Sequence, residues 1–250
     1  MRAIAAHGRQ VYLADSQNHR ISIADSTFEI VRSISVPYSI YQMAVLPGGG
    51  IAARFDKINT GVPFSVHLLS ENGAYVSALG GADSSGFMEE GYLRGDLEIE
   101  ASQKGSVIVA SAAAYVIKEY VHGHLRQTLT DDIDWFDAYA SNDRSKWPRL
   151  LSVTVDDEDR LWVLISLQVQ GYKYNRDLED SNGFAAIPDV HGGNDSVVEV
   201  WDLKSGRLLA GTRIDQAMRG FGDGSHIYTY ADAPDGAYAL RFWRMTLQKD

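Results

Sequence analysis

Residues 41–55 read YQMAVLPGGGIAARF, and residues 65–79 read SVHLLSENGAYVSAL. Each stretch is a pair of short runs rich in strand-forming residues, broken by a turn. Tyr41–Leu46 and Ile51–Phe55 flank Pro47-Gly48-Gly49-Gly50, while Ser65–Leu69 and Ala74–Leu79 flank Ser70-Glu71-Asn72-Gly73. Glycine supplies the positive φ that tight turns require, and Asn-Gly between alternating runs is the strongest short-range hairpin signal. Two consecutive hairpins make a four-stranded antiparallel meander.

The same unit recurs on both sides of this stretch. Upstream come Ala3–Ala6, Val11–Ala14, Arg20–Ala24 and Glu29–Val36, with turns at His7–Arg9 and Asp25-Ser26. Downstream come Leu97–Ala101, Val107–Ala112, Tyr115–Val121 and Leu125–Leu129, then Leu150–Val155, Leu161–Leu167, Val197–Asp202 and Arg207–Arg213. A last unit has three strands, Ala217–Phe221, His226–Tyr230 and Ala239–Met245. Apolar faces of helical period are scarce, and 23 glycines punctuate the chain. Such four-stranded repeats are the signature of a β-propeller, in which each blade buries both faces against its neighbours. A sandwich of many short strands is the competing all-β reading, and the recurring unit favours the propeller. The expectation is one all-β domain over residues 1–250, with about five four-stranded antiparallel blades visible and the first strand of each blade innermost.

Val11-Tyr12-Leu13-Ala14-Asp15-Ser16-Gln17-Asn18-His19-Arg20-Ile21 resembles the NHL repeat, an aromatic-containing strand followed by Ala-Asp-x-x-Asn-x-Arg-Ile. Val153-Thr154-Val155-Asp156-Asp157-Glu158-Asp159-Arg160-Leu161-Trp162-Val163 looks like the inner hairpin of the same propellers, with Asp159 where glycine is usual. The other blades keep the spacing without the Asn-x-Arg. Trp201-Asp202-Leu203-Lys204-Ser205-Gly206 looks like a WD-repeat hairpin, but no Gly-His precedes it and the other blades do not match. The NHL resemblance implies a six-bladed parent. With five units beginning on an innermost strand, the expectation is a fragment of such a parent, in which the faces of Val11–Ala14 and His226–Tyr230 stay uncovered, rather than a closed five-blade ring.

Composition narrows the function. With 23 Lys+Arg against 33 Asp+Glu the formal charge is −10, and phosphate binding needs the opposite sign for counterion release, so nucleic acid is not an expected partner. Zero Cys excludes thiol nucleophiles, disulfides and thiolate metal sites and leaves the compartment open. No apolar run is long enough to span a bilayer, and Met1–Gly8 is no signal peptide. The chain reads as soluble, and a secreted or periplasmic parent stays compatible with it.

The long connections 56–64, 80–96, 130–148 and 169–196 join second to third strands or one blade to the next. All therefore belong to the strand ends opposite the tight hairpins, where loops can carry a site on a rigid scaffold. Their aromatic and charged residues, with those on the adjoining strand ends, suit a polar ligand such as a sugar or a peptide, or a protein partner. The ligand-binding candidates are Arg54, Asp56, Tyr92, Arg94, Trp135, Trp147, Arg149, Tyr172, Tyr174 and His191. The connection 169–196, which also holds Asp195, reads as a lid.

No nucleophile elbow, phosphate loop or His-Glu-x-x-His stands in the chain, and the seven histidines are scattered over different units. Hard cations take several oxygens, so Asp131, Asp132 and Asp134 are candidate calcium ligands, whereas Asp156–Asp159 reads as a solvated hairpin turn. Some six-bladed relatives are calcium-dependent lactonases or lyases with acidic residues at the channel mouth; Arg54, Asp56 and Lys57 come nearest to that arrangement here. The leading expectation is a non-catalytic binding propeller without cofactor. The alternative is a calcium-dependent hydrolase or lyase of the lactonase-like type.

Overall fold

The computed structural model of the chain describes residues 3–55, 66–79, 97–112, 115–130, 136, 148–168, 194–222, 224–232 and 238–248. Among these are nineteen strands. The first sheet is β1 (Ala3–His7), β2 (Gln10–Asp15), β3 (Arg20–Ala24) and β4 (Ile30–Ser35); the second is β5 (Ile40–Val45), β6 (Ile51–Phe55), β7 (His67–Leu69) and β8 (Tyr75–Ala78). The third is β9 (Leu97–Ala101), β10 (Val107–Ser111), β11 (Ile117–Val121) and β12 (His124–Leu129), and the fourth β13 (Arg149–Val155), β14 (Arg160–Gln168), β15 (Asn194–Asp202) and β16 (Arg207–Ile214). The last has three strands, β17 (Gly220–Phe221), β18 (His226–Asp232) and β19 (Tyr238–Arg244). Every sheet follows chain order and every described pair is antiparallel.

The chain forms two compact units, one holding β1–β12 and the other β13–β19. In the first unit β5 lies beside both β1 and β9, so the first strand of each blade is the one that meets its neighbours. Period-two alternation splits β5 and β6 between two cores. Ile40, Met43, Val45, Ile51, Ala53 and Phe55 pack against Tyr12, Ala14, Ile21, Ile23 and Ile34 of the first blade. Ala44 and Ala52 pack against Leu97, Ile99, Val107, Val109 and Tyr120 of the third. In the second unit β13 lies beside β17, and Trp162, Leu164, Val198 and Val200 close on Met218 and Ile227. A fully buried isoleucine such as Ile21 or Ile51 contributes about 1.5–3 kcal/mol through its removal from water.

One turn recurs at the hairpin end of the blades. Asp25, Ser70, Ser102 and Asp156 each open a turn in which the backbone N–H three residues on returns to their carbonyl. Their own side chains accept from the N–H groups two and four residues on: Thr27 and Glu29, Asn72 and Ala74, Lys104 and Ser106, Glu158 and Arg160. The fourth residue sits at positive φ, as Phe28 (63°), Gly73 (81°), Gly105 (84°) and Asp159 (64°). Asp and Ser at the first place and Gly at the fourth are what this chemistry favours. The hairpin expected at Asn72-Gly73 therefore forms, but only Gly73 takes the left-handed conformation.

The NHL-like stretch has a local explanation too. The Asp15 carboxylate accepts from Asn18 Nδ2 at 2.7 Å and Arg20 Nε at 3.0 Å, which ties the connection between β2 and β3.

Two expectations need correction. The innermost strand expected at Ala217–Phe221 is only Gly220–Phe221, because Thr229 Oγ1 donates to the Ala217 carbonyl and Ser196 Oγ accepts from the Met218 N–H, diverting both groups from the ladder. The connection expected at 169–196 overruns a strand by three residues, since Asn194, Asp195 and Ser196 pair with Gln168, Leu167 and Ser166. Asp195 is thus a strand residue, its carboxylate bonded to the Arg213 guanidinium.

Candidate functional site

Two of the ten ligand-binding candidates fall on described strands. Arg54 lies on β6 and Arg149 opens β13, opposite Ser166. Asp56, Tyr92, Arg94, Trp135, Trp147, Tyr172, Tyr174 and His191 lie outside the described residues, as do Asp131, Asp132 and Asp134.

Around Arg54 the strands place a polar group at the end of the first unit from which the long connections leave. Arg54 stands opposite Gln42 in the ladder, and its guanidinium sits over the Tyr41 ring, 5.4 Å from the centroid. Tyr41 reaches that place because the register slips between Ile40 and Gln42, making it the bulged residue. Gln42 shares a strand face with Ala44, and Arg54 with Ala52, the two alanines that face the third blade. The facing wall is built by β9 and β10. Leu97 stands opposite Ser111, and Ser111 continues the face of Val107 and Val109. Gln42 Nε2 donates to Glu98 Oε1 at 3.4 Å across the two innermost strands.

The result is an apolar inter-blade core capped at one end by Gln42, Arg54 and Ser111. Ser111 is 1% exposed, and among the described residues neither its hydroxyl nor Gln42 Oε1 meets a hydrogen-bond partner. Nearby on β9, burial pushes the Glu100 carboxyl up to about 7, offset in part by the Ala101 N–H.

Other polar groups serve the scaffold. His67 is stacked between Phe55 (5.1 Å) and Tyr75 (5.8 Å), on the face away from Gln42. Glu119 is 1% exposed but accepts from Arg126 and Gln127. In the second unit Arg219 lies over Tyr230 at 5.7 Å, and desolvation lowers its pKa. The Asp156 carboxylate accepts from Arg160 and from Trp162 Nε1, both at 2.8 Å. Desolvation, the largest single influence, pushes its pKa up, but these hydrogen bonds and the Arg160 charge together hold it below the usual range. That acidic run is a turn whose carboxylate is already engaged. No group of three or more His, Asp or Glu suited to a metal stands among the described residues.

Gln42, Glu98 and Ser111 were not singled out from sequence. The one available signal was alternation, which puts Gln42 on the same face as Arg54.

No known family's sequence profile matches the chain, and no curated protein matches it in sequence. Solved structures do match its shape. A member of the DUF4221 family from Bacteroides vulgatus superposes with a TM-score of 0.60 at 10% identity, over 95% of this chain and 76% of that one. This chain is a β-propeller. Streptogramin B lyase matches with a TM-score of 0.45 at 13% identity, over 99% and 83% of the two chains. TolB from Acinetobacter baumannii matches at 0.47 and 15%, over 97% and 50%. At 10% identity the likeness to the DUF4221 protein is one of fold alone.

Proposed function

We propose that the chain is a non-catalytic binding propeller, holding a polar small molecule, a peptide or a protein at the strand ends that carry connections 56–64, 80–96, 130–148 and 169–196. The observation that carries this reading is the polar cap of the first unit. An inter-blade core needs only aliphatic side chains, and at its other end it has them in Val107 and Leu46. At the loop end the same core is closed by an arginine on a tyrosine ring, a glutamine and a buried serine. Burying polar groups costs free energy unless they are satisfied, and a ligand that engages them offsets that cost.

The test is a thermal-shift screen of the protein against free sugars and short peptides, repeated with Arg54→Ala and Gln42→Ala. A ligand binding only the folded state raises the melting temperature, and both variants are expected to lose that rise while keeping the far-ultraviolet spectrum of the parent. A rise produced instead by calcium alone, and abolished by converting Asp131, Asp132 and Asp134 to Asn, would favour the hydrolase or lyase reading.

A further inference from the structure

The last sheet differs from the other four in its outer edge. In each four-stranded sheet the fourth strand carries an extra residue against the third, so that Val31, Val76, Arg126 and Leu209 have no partner in the ladders of β4, β8, β12 and β16. A bulge of this kind twists an edge strand and blunts its pairing with another chain. The second and third strands of those sheets pair without a slip. So do β18 and β19, through seven consecutive pairs. By its pairing β19 is a third strand, and among the described residues no fourth strand follows it in its sheet.

The Met245 N–H donates to the Ser225 carbonyl, on the β18 side. Backbone groups alternate between the two edges of an extended strand, so Arg241 and Trp243 bond toward β18 while Leu240, Phe242 and Arg244 turn their N–H and C=O groups to the outer edge. Leu240 and Phe242 are 53% and 54% exposed, whereas Ile21 and Ile23 of β3 and Ile117 and Tyr120 of β11 are buried.

Charge specifies the strand that fits. Arg20, Arg126, Arg160 and Arg213 each meet a carboxylate. Arg241 and Arg244 are exposed and meet none among the described residues; Arg241 lies over the Trp243 ring, 5.9 Å from its centroid. Opposite charges on opposed residues stabilise a strand pair, and like charges weaken it. A second copy of β19 would bring two more arginines to this edge. An antiparallel partner that answers it reads, from the residue opposite Arg244 to the residue opposite Leu240, acidic, any, apolar, acidic, apolar.

Separately from the loop-end reading, we propose that the outer edge of β19 is a docking site for an extended segment of a partner protein with that acidic and apolar pattern. The segment adds as the fourth strand, through main-chain hydrogen bonds to Leu240, Phe242 and Arg244.

The experiment is fluorescence anisotropy of the protein with a labelled peptide, Thr-Thr-Glu-Thr-Val-Glu-Val-Thr-Thr, beside a version with Lys in place of Glu and a version N-methylated at both valines, whose N–H groups face β19. The Glu peptide is expected to bind the parent and, equally, Arg54→Ala, and N-methylation is expected to abolish binding. Arg241→Glu combined with Arg244→Glu should weaken the Glu peptide about fivefold or more, and should bind the Lys peptide better than the parent does. That gain cannot come from a misfolded variant. Binding indifferent to N-methylation or to the charge swap would overturn the proposal, and its loss in Arg54→Ala would assign the peptide to the loop end instead. A concentration-dependent dimer of the parent alone, lost in the double variant, would give the edge to a second copy and overturn the partner. Absence of binding by the Glu peptide would overturn it outright, leaving the two arginines as guards of an edge that takes no strand.

Discussion

The two ends of the blades in the first unit solve the same problem in opposite ways. At the hairpin end, the serines that open the turns are satisfied within a few residues: Ser70 accepts from Asn72 and Ala74, and Ser102 from Lys104 and Ser106. At the loop end, polar groups face across from one blade to the next. Gln42 reaches Glu98, 56 residues away in sequence, and the Ser111 hydroxyl meets no hydrogen-bond partner among the described residues. Self-contained turns hold the scaffold together, whereas the loop end joins one blade to the next through single side chains. The hairpin end should therefore govern stability and the loop end binding.

The largest expected effect is at Gly73. Its φ is 81°, and an added Cβ would collide with the Ser35 carbonyl of the preceding blade. Gly73→Ala should cost about 2–4 kcal/mol, from left-handed strain plus a clash with backbone that cannot swing aside. A urea melt checks it, and an unchanged midpoint would mean that this turn does not seat against the first blade.

Asp156→Ala comes next, removing two backbone caps and the bonds to Arg160 and Trp162. The expected cost is about 2 kcal/mol at neutral pH. The Asp156 pKa is lowered on folding, so its contribution is present above the unfolded value near 3.8 and fades as pH falls through the lower folded value. Below that range variant and parent should converge.

Glu100→Gln should show the opposite pH dependence. The folded carboxyl is raised from 4.5 to about 7, so the parent is most stable below about 4.5 and loses stability as pH rises through 7. The variant should match the parent at pH 4 and exceed it at pH 8, by an amount on the order of 1–3 kcal/mol. Parallel melting curves across that range would contradict the burial of this side chain.

The smallest effects are expected at Asp159 and Phe28, which hold φ of 64° and 63° without being glycine. Asp159→Gly and Phe28→Gly should each stabilise by up to about 1 kcal/mol, since left-handed backbone strain is relieved. Differential scanning calorimetry resolves a gain of that size.

Legibility in the sequence followed the distance over which each feature is built. The turns at Asp25, Ser70 and Asp156 were readable because their chemistry closes within five residues, and the Asp15-Asn18-Arg20 tie for the same reason. The five-fold repeat was readable because period-two runs and glycines mark each strand. Ala217–Met218 was misread as strand because its backbone partners are the side chains of Thr229 and Ser196, which no local pattern announces. Arg54 was readable as a charge on an inner hairpin. Ser111 was hidden at the end of the apolar run from Val107, since nothing in a single strand says which residue the neighbouring blade brings opposite it.

Hydrogen exchange followed residue by residue tests the central claim most directly, with and without whichever sugar or peptide probe raises the melting temperature. The account predicts ligand-induced protection at Tyr41, Gln42, Arg54, Glu98 and Ser111, with no change at the turns 47–50, 70–73 and 102–105. Protection confined to those turns, with the loop-end residues unchanged, would contradict it.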